Sequence, residues 1–464
     1  MRFVNVEKDL KKSMNEKRIT VGLVSLGCAK NQVDAESMLG SLQQSGYCIT
    51  SDPAQADVIV INTCAFIEPA REEAIAAILE MAEYKKYGRC RVLLVTGCLA
   101  QRYPEEIAEQ LPEVDGILGV GGYDRILETI QSCLNGGKRI FCEMNTDLRY
   151  LNGPRILIGS SGCAYLKLSE GCDNRCAYCA IPDIRGPFRS RPMEDLLQEA
   201  ERLVRTGVQE LIVVAQDTSR YGKDLYGECC LPVLLRRLDR ISGLNRIRLM
   251  YLYPDEVTEE LIAVMKECAK IAHYVDLPIQ HISNSVLSRM NRRGSADDIR
   301  RIFARFRAEM PDCVLRSTLI VGFPGETEAD FEELKQFVAE TKFDRLGIFT
   351  YSKEDGTPAA RMSGQIKKAV KERRYHTLMK LQQQISYEKN MERIGKIYDV
   401  LVEGTAEDGI FYYGRSYGEG PDDVDGRIYF TAEEPLMPGT MVQVKILLAE
   451  AYDLTGAVIL KEEI

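Results

Sequence analysis

The sequence of 464 residues contains no tryptophan, only three histidines and no long uninterrupted apolar stretch. No run approaches the roughly 18 apolar residues that a membrane-spanning helix needs. Residues 1–18 are charged and lack the apolar segment of a secretory signal. We therefore expect a cytoplasmic protein that has no membrane partner. The few histidines form no Ser-His-Asp or His-rich zinc arrangement, so hydrolase and zinc chemistry are disfavoured.

Cysteine, by contrast, is abundant, with 15 residues, and without a secretory signal this favours metal ligands and reduced thiols over disulfides. Cys172, Cys176 and Cys179 have the spacing C-x3-C-x2-C. Three thiolates can hold three corners of a 4Fe-4S cube and leave one iron open to a ligand. The same spacing would also fit one face of a helix, where buried cysteine is common. Gly171 and Asp173 favour a loop and therefore an iron-sulfur site.

A second set of cysteines lies between Ile19 and about Leu134, where one pattern occurs three times. An apolar run ends close to Cys28, Cys64 or Cys98, and a helical pattern follows each of them. Because parallel strands end at one edge of a sheet, this repetition predicts that the three thiols lie together as metal ligands. Ordinary core cysteines are the alternative.

The rest of the chain predicts two further domains, in keeping with its length. From about 160 to 389, six apolar runs alternate with helical patterns, which predicts an incomplete parallel barrel with function at the carboxyl ends of its strands. After about Met391, five short runs separated by turns predict a small β-barrel. One turn, Gly322 to Thr327, departs from the phosphate-binding pattern G-x-G-x-x-G, and Pro324 lacks a donor that such a loop would use.

These motifs resemble those of a known family. The loop from Cys172 to Cys179 is similar to the radical S-adenosylmethionine signature, and both cysteine sets together resemble the methylthiotransferase family over nearly the whole chain. The strings Gly27 to Gln32 and Asn62 to Cys64 match the family closely. The resemblance implies two 4Fe-4S clusters, reductive cleavage of S-adenosylmethionine to a 5′-deoxyadenosyl radical, and insertion of sulfur and a methyl group into a substrate.

The resemblance also implies a fold of class α/β with three domains. These are an N-terminal open parallel-sheet domain at 19–135, a partial (βα)6 radical S-adenosylmethionine barrel at 158–389 and a small all-β TRAM barrel at 391–461. It implies that six residues bind the adenosyl cofactor: Tyr178, Gln216, Asp217, Tyr251, Gln280 and Gly322. Tyr178 would lie near the adenine. Packing by Tyr178, and structural hydrogen bonds of the polar residues, are the alternatives.

Charge bears on the substrate. Residues 391–464 contain six Lys and Arg against 15 Asp and Glu, a net charge of −9 that equals the charge of the whole chain. Such a domain repels phosphate and favours a basic protein partner, although an acidic surface kept for solubility is the alternative. The string from Pro421 to Gly426 resembles the branch that modifies an aspartate of ribosomal protein S-twelve. Acids at Glu354 and Asp355 stand where the tRNA-modifying branch usually has Arg-Pro.

We therefore expect a methylthiotransferase that acts on the β-carbon of an aspartate of ribosomal protein S-twelve, free or in the small ribosomal subunit. It would be a monomer served by an electron donor. A tRNA adenosine methylthiotransferase, a non-catalytic iron-sulfur carrier and a structural zinc protein are the alternatives. Zinc suits three-thiolate sets without a fourth ligand poorly.

Overall fold

The computed structural model describes residues 2–3, 18–144 and 147–459. The chain divides into two compact units. The first unit comprises Met1–Gly159, Glu170–Arg175 and Cys179–Arg189, and the second comprises Ser160–Ser169, Cys176–Tyr178 and Ser190–Ile464. The division passes through the two-residue strands Ser169–Glu170 and Arg189–Ser190.

The first unit is built on a seven-stranded sheet that is parallel except for its first, two-residue strand. Its strands are Arg2–Phe3, Thr20–Ser25, Cys48–Thr50, Val58–Thr63, Val92–Gly97, Gly116–Leu118 and Arg139–Phe141. Its helices are Ala29–Gln44, Glu68–Ala82, Tyr84–Tyr87, Cys98–Arg102, Pro104–Gln110, Ile126–Leu134 and Ile181–Arg185. The central strands are buried along their whole length, which explains why they are continuous apolar runs.

The threefold repeat predicted from the sequence is confirmed in this sheet. The three strands that precede the repeated cysteines are Thr20–Ser25, Val58–Thr63 and Val92–Gly97, and they are hydrogen-bonded neighbours. A helix follows each strand, as expected for units whose strands all run in the same direction.

The second unit contains six parallel strands joined by helices. The strands are Cys163–Lys167, Glu210–Val214, Arg246–Leu249, Ile271–Asp276, Val314–Val321 and Arg345–Thr350. The helices are Met193–Arg205, Lys223–Tyr226, Leu231–Asp239, Glu259–Glu267, Asn284–Arg289, Ala296–Glu309, Glu328–Thr341 and Lys368–Met391. Their order along the sheet follows the order of the chain, so all six carboxyl ends lie at one edge. The predicted partial barrel is therefore confirmed.

The same unit ends in a closed five-stranded barrel, also as predicted. Its strands are Ile397–Thr405, Tyr412–Arg415, Ile428–Thr431, Met441–Ala449 and Leu454–Val458. The last strand begins at Leu454, which is buried and pairs with Ala449. The predicted end of this domain, at residue 461, lies outside the described residues.

Candidate functional site: two cysteine sets and the barrel edge

Cys28, Cys64 and Cys98 lie at one edge of the first unit's sheet. Cys64 and Cys98 directly follow Thr63 and Gly97, which are paired in register on neighbouring strands. Cys28 is the N-cap of the helix Ala29–Gln44, which follows the neighbouring strand Thr20–Ser25. The structure thus places all three thiols beyond the carboxyl ends of adjacent strands, where the sequence pattern predicted them.

Asn31 organises this edge. Its amide nitrogen donates to the carbonyl oxygens of Leu26 at 3.1 Å and Thr63 at 2.9 Å. Its amide oxygen accepts from the thiol of Cys98 at a distance of 3.6 Å. Gly27 has φ +92°, and a β-carbon there would lie 3.1 Å from the sulfur of Cys64. Only glycine lets the backbone of the Cys28 turn approach the second cysteine this closely.

The three thiols also share one electrostatic environment. Loss of water around the Cys28 thiol would raise its pKa. The charges of Lys30 and Arg185, together with two backbone N–H groups, outweigh that effect and lower the pKa overall. Burial, with the charges of Cys98 and Cys28, raises the pKa of Cys64 to about 12, and burial likewise raises the pKa of Cys98. Three thiolates would repel one another here unless positive charge joined them.

Such a donor set fits an iron-sulfur cluster, whose irons supply that charge. In the part of the chain that the structure describes, no three His, Cys, Asp or Glu side chains are grouped closely enough to hold a single metal ion. Ligands of a cube bind separate irons, so they need not meet at one point.

The second cysteine set lies in a loop, so the helical alternative for residues 172–179 is wrong. Gly171 has φ +76°, and a β-carbon there would lie 2.1 Å from the carbonyl oxygen of Pro187. The backbone N–H of Cys172 donates to Gly186 at 3.1 Å. Cys172 and Cys179 belong to the first unit, whereas Cys176 and Tyr178 belong to the second.

In the second unit, an arginine that was not predicted from the sequence contacts this loop. Arg292 donates to the hydroxyl of Tyr178 at 3.2 Å and to the carbonyl oxygen of Pro278 at 2.6 Å, and its Nη1 lies 3.9 Å from the sulfur of Cys176. Its guanidinium lies over the ring of Tyr253, 4.2 Å from the centroid. The only signal in the sequence was a pair of arginines, Arg292 and Arg293, after a helix, which many surfaces share.

Four predicted polar residues follow barrel strands, and two of them have an unusual backbone. Tyr251 has φ +61° and Gln280 has φ +70°, conformations that non-glycine residues rarely adopt. The backbone of Gln280 is fixed by an N–H donated to Thr318 and a carbonyl that accepts from Ile320, each at 2.8 Å. Such conformations persist where surrounding contacts impose them, and they concentrate at functional sites.

Gln216 and Asp217 differ in their exposure to solvent. Gln216 is half-buried and lies just beyond the strand Glu210–Val214. Asp217 is buried, and it accepts a hydrogen bond from Ser219 at 2.6 Å, while the hydroxyl of Ser219 accepts from the backbone of Tyr253 at 3.0 Å. This arrangement favours the structural role that the sequence left open for Asp217.

The turn from Gly322 to Thr327 uses two of its amides for a side chain of its own. The backbone N–H groups of Gly322 and Phe323 both donate to the carboxylate of Glu326. The ring of Phe323 contacts Tyr178 edge-on, with 6.5 Å between the centroids. The turn therefore contacts Tyr178, and these two amides are not available to a ligand.

Two acids of the strings that distinguish the family branches, Asp425 and Glu354, are engaged within the second unit. Asp425 is buried, accepts from the hydroxyl of Tyr274 and pairs with Arg316 at 3.3 Å. Glu354 is also buried and accepts from the hydroxyl of Ser352 at 2.6 Å. Asp425 and Glu354 are therefore buried side chains with polar partners, and neither is an exposed charge for a substrate to contact.

Comparison with known proteins agrees with this architecture. Three family models match the chain: "Uncharacterized protein family UPF0004" at residues 20–119, "Radical SAM superfamily" at 166–338 and "TRAM domain" at 394–459. The chain is 53% identical over 446 residues to the ribosomal protein uS12 methylthiotransferase RimO of Acetivibrio thermocellus, covering 95% of this chain and 98% of that protein. It is 51% identical to the protein of the same name from Pelotomaculum thermopropionicum, covering 95% of this chain and 100% of that one.

Solved structures share the fold at low sequence identity. The radical S-adenosylmethionine methyltransferase TsrM from Kitasatospora setae aligns with a TM-score of 0.54 at 15% identity, covering 74% of each chain. The cobalamin-dependent radical enzyme OxsB aligns with a TM-score of 0.51 at 13% identity, covering 80% of this chain and 56% of that one.

The barrel, the cysteine loop and the three domain matches define a radical S-adenosylmethionine methylthiotransferase. Within that class, the chain belongs to the family of ribosomal protein uS12 methylthiotransferases, RimO. The predicted family, fold class and enzyme class are thereby confirmed, and the tRNA-modifying alternative is not favoured. None of the described helices is both long and apolar enough to span a membrane.

Proposed function

We propose that this enzyme replaces a hydrogen on the β-carbon of an aspartate of ribosomal protein uS12 by a methylthio group. The observation that carries the proposal is the pair of three-cysteine sets, one at the ends of adjacent strands and one in the loop Cys172–Cys179. About 50% identity over nearly the full length of proteins named for this reaction supports the choice of substrate.

We propose that the enzyme binds two 4Fe-4S clusters. Cys172, Cys176 and Cys179 would hold one of them. The other, which we call the auxiliary cluster, would be held by Cys28, Cys64 and Cys98. When bound, S-adenosylmethionine and the clusters supply the carbon-centred radical, the sulfur and the methyl group. The chain would have three functional domains, at residues 19–135, 158–389 and 391–461.

The chain's own residues hold and orient the cofactor. Tyr178 would place its ring against the adenine, with its hydroxyl held by Arg292. Gln216, Tyr251, Gln280 and Gly322 would contact the cofactor from the carboxyl ends of the strands, and Asp217 would hold the turn beside them through Ser219.

The acidic C-terminal barrel supports a basic protein as the substrate. Its charge of −9 would speed encounter with a ribosomal protein and repel free RNA. A ribosomal substrate, free or in the small subunit, places the reaction in the cytoplasm, and a separate protein would deliver the electrons. We propose a monomer, since the two cysteine sets lie on one chain.

Incubation of the reconstituted enzyme with uS12 and with tRNA tests the substrate. We expect uS12 to gain the mass of one methylthio group in place of a hydrogen on an aspartate, and tRNA to remain unchanged. Modification of tRNA without modification of uS12 would contradict the proposal.

Two triple variants test the clusters. Replacing Cys172, Cys176 and Cys179 by Ala should leave about half the iron and abolish formation of 5′-deoxyadenosine. Replacing Cys28, Cys64 and Cys98 should also remove about half the iron while 5′-deoxyadenosine still forms. Ala at Cys48, Cys133 and Cys142, which lie elsewhere in the first unit, is the matched control and should leave the iron unchanged. Full iron retention in the second variant would rule out the auxiliary cluster.

A further inference from the structure

Arg185 is a buried arginine at the end of the short helix Ile181–Arg185, and the proposed chemistry does not use it. Its side chain is 1% exposed. One terminal nitrogen, Nη1, donates to Asp34 at 3.2 Å and to both carboxylate oxygens of Glu170 at 2.9 Å. The other, Nη2, donates to the amide oxygen of Asn31 and to the sulfur of Cys98 at 3.6 Å. All these residues belong to the first unit.

The two nitrogens thus have different kinds of partner. Nη1 contacts two carboxylates, which balance the positive charge inside the protein. Nη2 points away from them toward a ligand thiol and the amide that already holds it. A guanidinium can do both because its donors form a rigid, planar fork, whereas the ammonium of lysine is a single point charge.

The partners of Arg185 also frame the other cysteine set. Glu170 and Arg185 flank Cys172 and Cys179 in sequence, and the carboxylate of Glu170 accepts from the backbone of Gly171 at 3.1 Å. The ion pair between Glu170 and Arg185 therefore joins the two ends of the segment that carries Cys172 and Cys179. The same guanidinium contacts Cys98, so it joins this segment to the thiol edge of the sheet.

We propose that Arg185 is a positioning residue that donates a hydrogen bond to the Cys98 ligand sulfur and thereby raises the reduction potential of the auxiliary cluster. This inference rests on the cluster proposed for Cys28, Cys64 and Cys98. Reduction adds negative charge to a cluster, and an N–H donor at a ligand sulfur stabilises that charge.

The test measures a potential, so it does not depend on turnover. The parent is the full chain in which Cys172, Cys176 and Cys179 are Ala, which leaves only the auxiliary cluster. Arg185→Lys keeps a positive charge beside Asp34 and Glu170. The single ammonium group of lysine cannot contact these carboxylates and the sulfur of Cys98 at the same time. In an EPR-monitored redox titration, we expect the ratio of reduced to oxidised cluster at a fixed potential to fall by about tenfold, which is about 59 mV for one electron.

Arg191→Lys is the matched control. Arg191 is equally buried, with 1% of its side chain exposed, and pairs with Glu199 at 2.6 Å. It donates to the carbonyl oxygen of Lys167 at 3.0 Å. The same loss of a guanidinium should therefore leave the potential unchanged. An unchanged potential in Arg185→Lys, or an equal shift in both variants, would overturn the inference.

Asp34→Asn provides a second variant if Arg185→Lys does not assemble the cluster. This change keeps the shape of a side chain that is fully buried and removes one negative charge from Nη1. The less neutralised guanidinium should shift the potential in the positive direction, opposite to Arg185→Lys. A negative or absent shift would contradict the inference. A parent that holds no cluster would instead refute the proposed cluster, so the two failures are distinguishable.

Discussion

The two ends of the parallel barrel in the second unit differ in how their polar residues are satisfied. At the carboxyl ends of the strands, Tyr251 and Gln280 have positive φ, a conformation that costs about 1 to 3 kcal/mol for each non-glycine residue. Gln216 is half-buried there. Arg292 holds Tyr178 at this end, beside the cysteine loop.

At the amino ends of the strands, charged residues form a closed network with the C-terminal barrel. Glu210 and Arg248 pair at 2.7 Å, and Arg415 reaches Glu210 at 3.3 Å and Glu403 at 2.7 Å. The network continues at Arg345, which pairs with Glu419 of the C-terminal barrel at 3.2 Å. The charges of Arg393 and Arg345 outweigh burial and hold the pKa of Glu419 well below its ordinary value.

This contrast separates stability from function. The charges described at the amino end are buried and paired with one another, so changes there should affect folding. The carboxyl end retains backbone strain and half-buried polar groups, as expected where a ligand completes the contacts. Substitutions at the two ends should therefore alter different measurements.

The largest expected effect is at the amino end. Arg415→Met would leave Glu210 and Glu403 buried without their shared cation, and we expect a loss of about 3 to 5 kcal/mol in the free energy of unfolding. Denaturant titration measures it. Arg427→Met is the matched control on the same barrel, because Arg427 forms a partly exposed pair with Asp423 and should cost less than about 1 kcal/mol. A smaller loss for Arg415→Met than for Arg427→Met would contradict the assignment.

Acid should weaken the same interface. Burial would raise the pKa of Glu210, but the charges of Arg415, Arg248 and Arg246 lower it from 4.5 to about 2. A lowered folded-state pKa contributes stability above the unfolded value, and this is lost as pH falls from about 4.5 toward about 2. The full contribution is about 3 kcal/mol. We expect the difference in unfolding free energy between the parent and Glu210→Gln to shrink over this range, and a constant difference would contradict the network.

At the carboxyl end, Gly322→Ala should have an intermediate effect. Gly322 has φ +75°, and a β-carbon there would lie 2.4 Å from the side chain of Lys371. We expect a loss of about 1 to 3 kcal/mol in stability and weaker binding of S-adenosylmethionine. Gly347→Ala is the control, since its φ is not in the left-handed region and its nearest neighbour would be 3.5 Å away. Calorimetric titration with the cofactor measures binding, and equal behaviour of the two variants would count against a cofactor role for this turn.

The smallest effect is expected for Asp423→Asn on the acidic barrel. Its carboxylate is partly exposed and pairs with Arg427, so the loss of stability should stay below about 1 kcal/mol. If the surface attracts uS12, the association rate should fall slightly and depend less on salt. Asp425 is unsuitable for this test because it is buried against Tyr274 and Arg316. Tighter binding of uS12 to Asp423→Asn would contradict a docking role.

The sequence by itself determined the architecture of this protein and predicted two sets of candidate cysteine ligands. Apolar runs followed by helical patterns define parallel sheets locally, and the three repeated cysteines could be placed because strand ends in such sheets share one edge. The C-x3-C-x2-C spacing is contained in a single short loop, so it needs no long-range information. Short runs and turns after Met391 likewise predicted the closed barrel.

Only the tertiary structure decided which charged residues are available and which are engaged. Asp425 reads as one more acid in a turn, yet it meets Tyr274, which is 151 residues away in sequence. Arg185 reads as a surface charge at the end of a helix, yet it meets Cys98, which is 87 residues away. Arg292 reaches Tyr178 across 114 residues. The partner of a charged residue depends on which helices and strands pack together in the fold. The local periodicity of the sequence does not predict that packing.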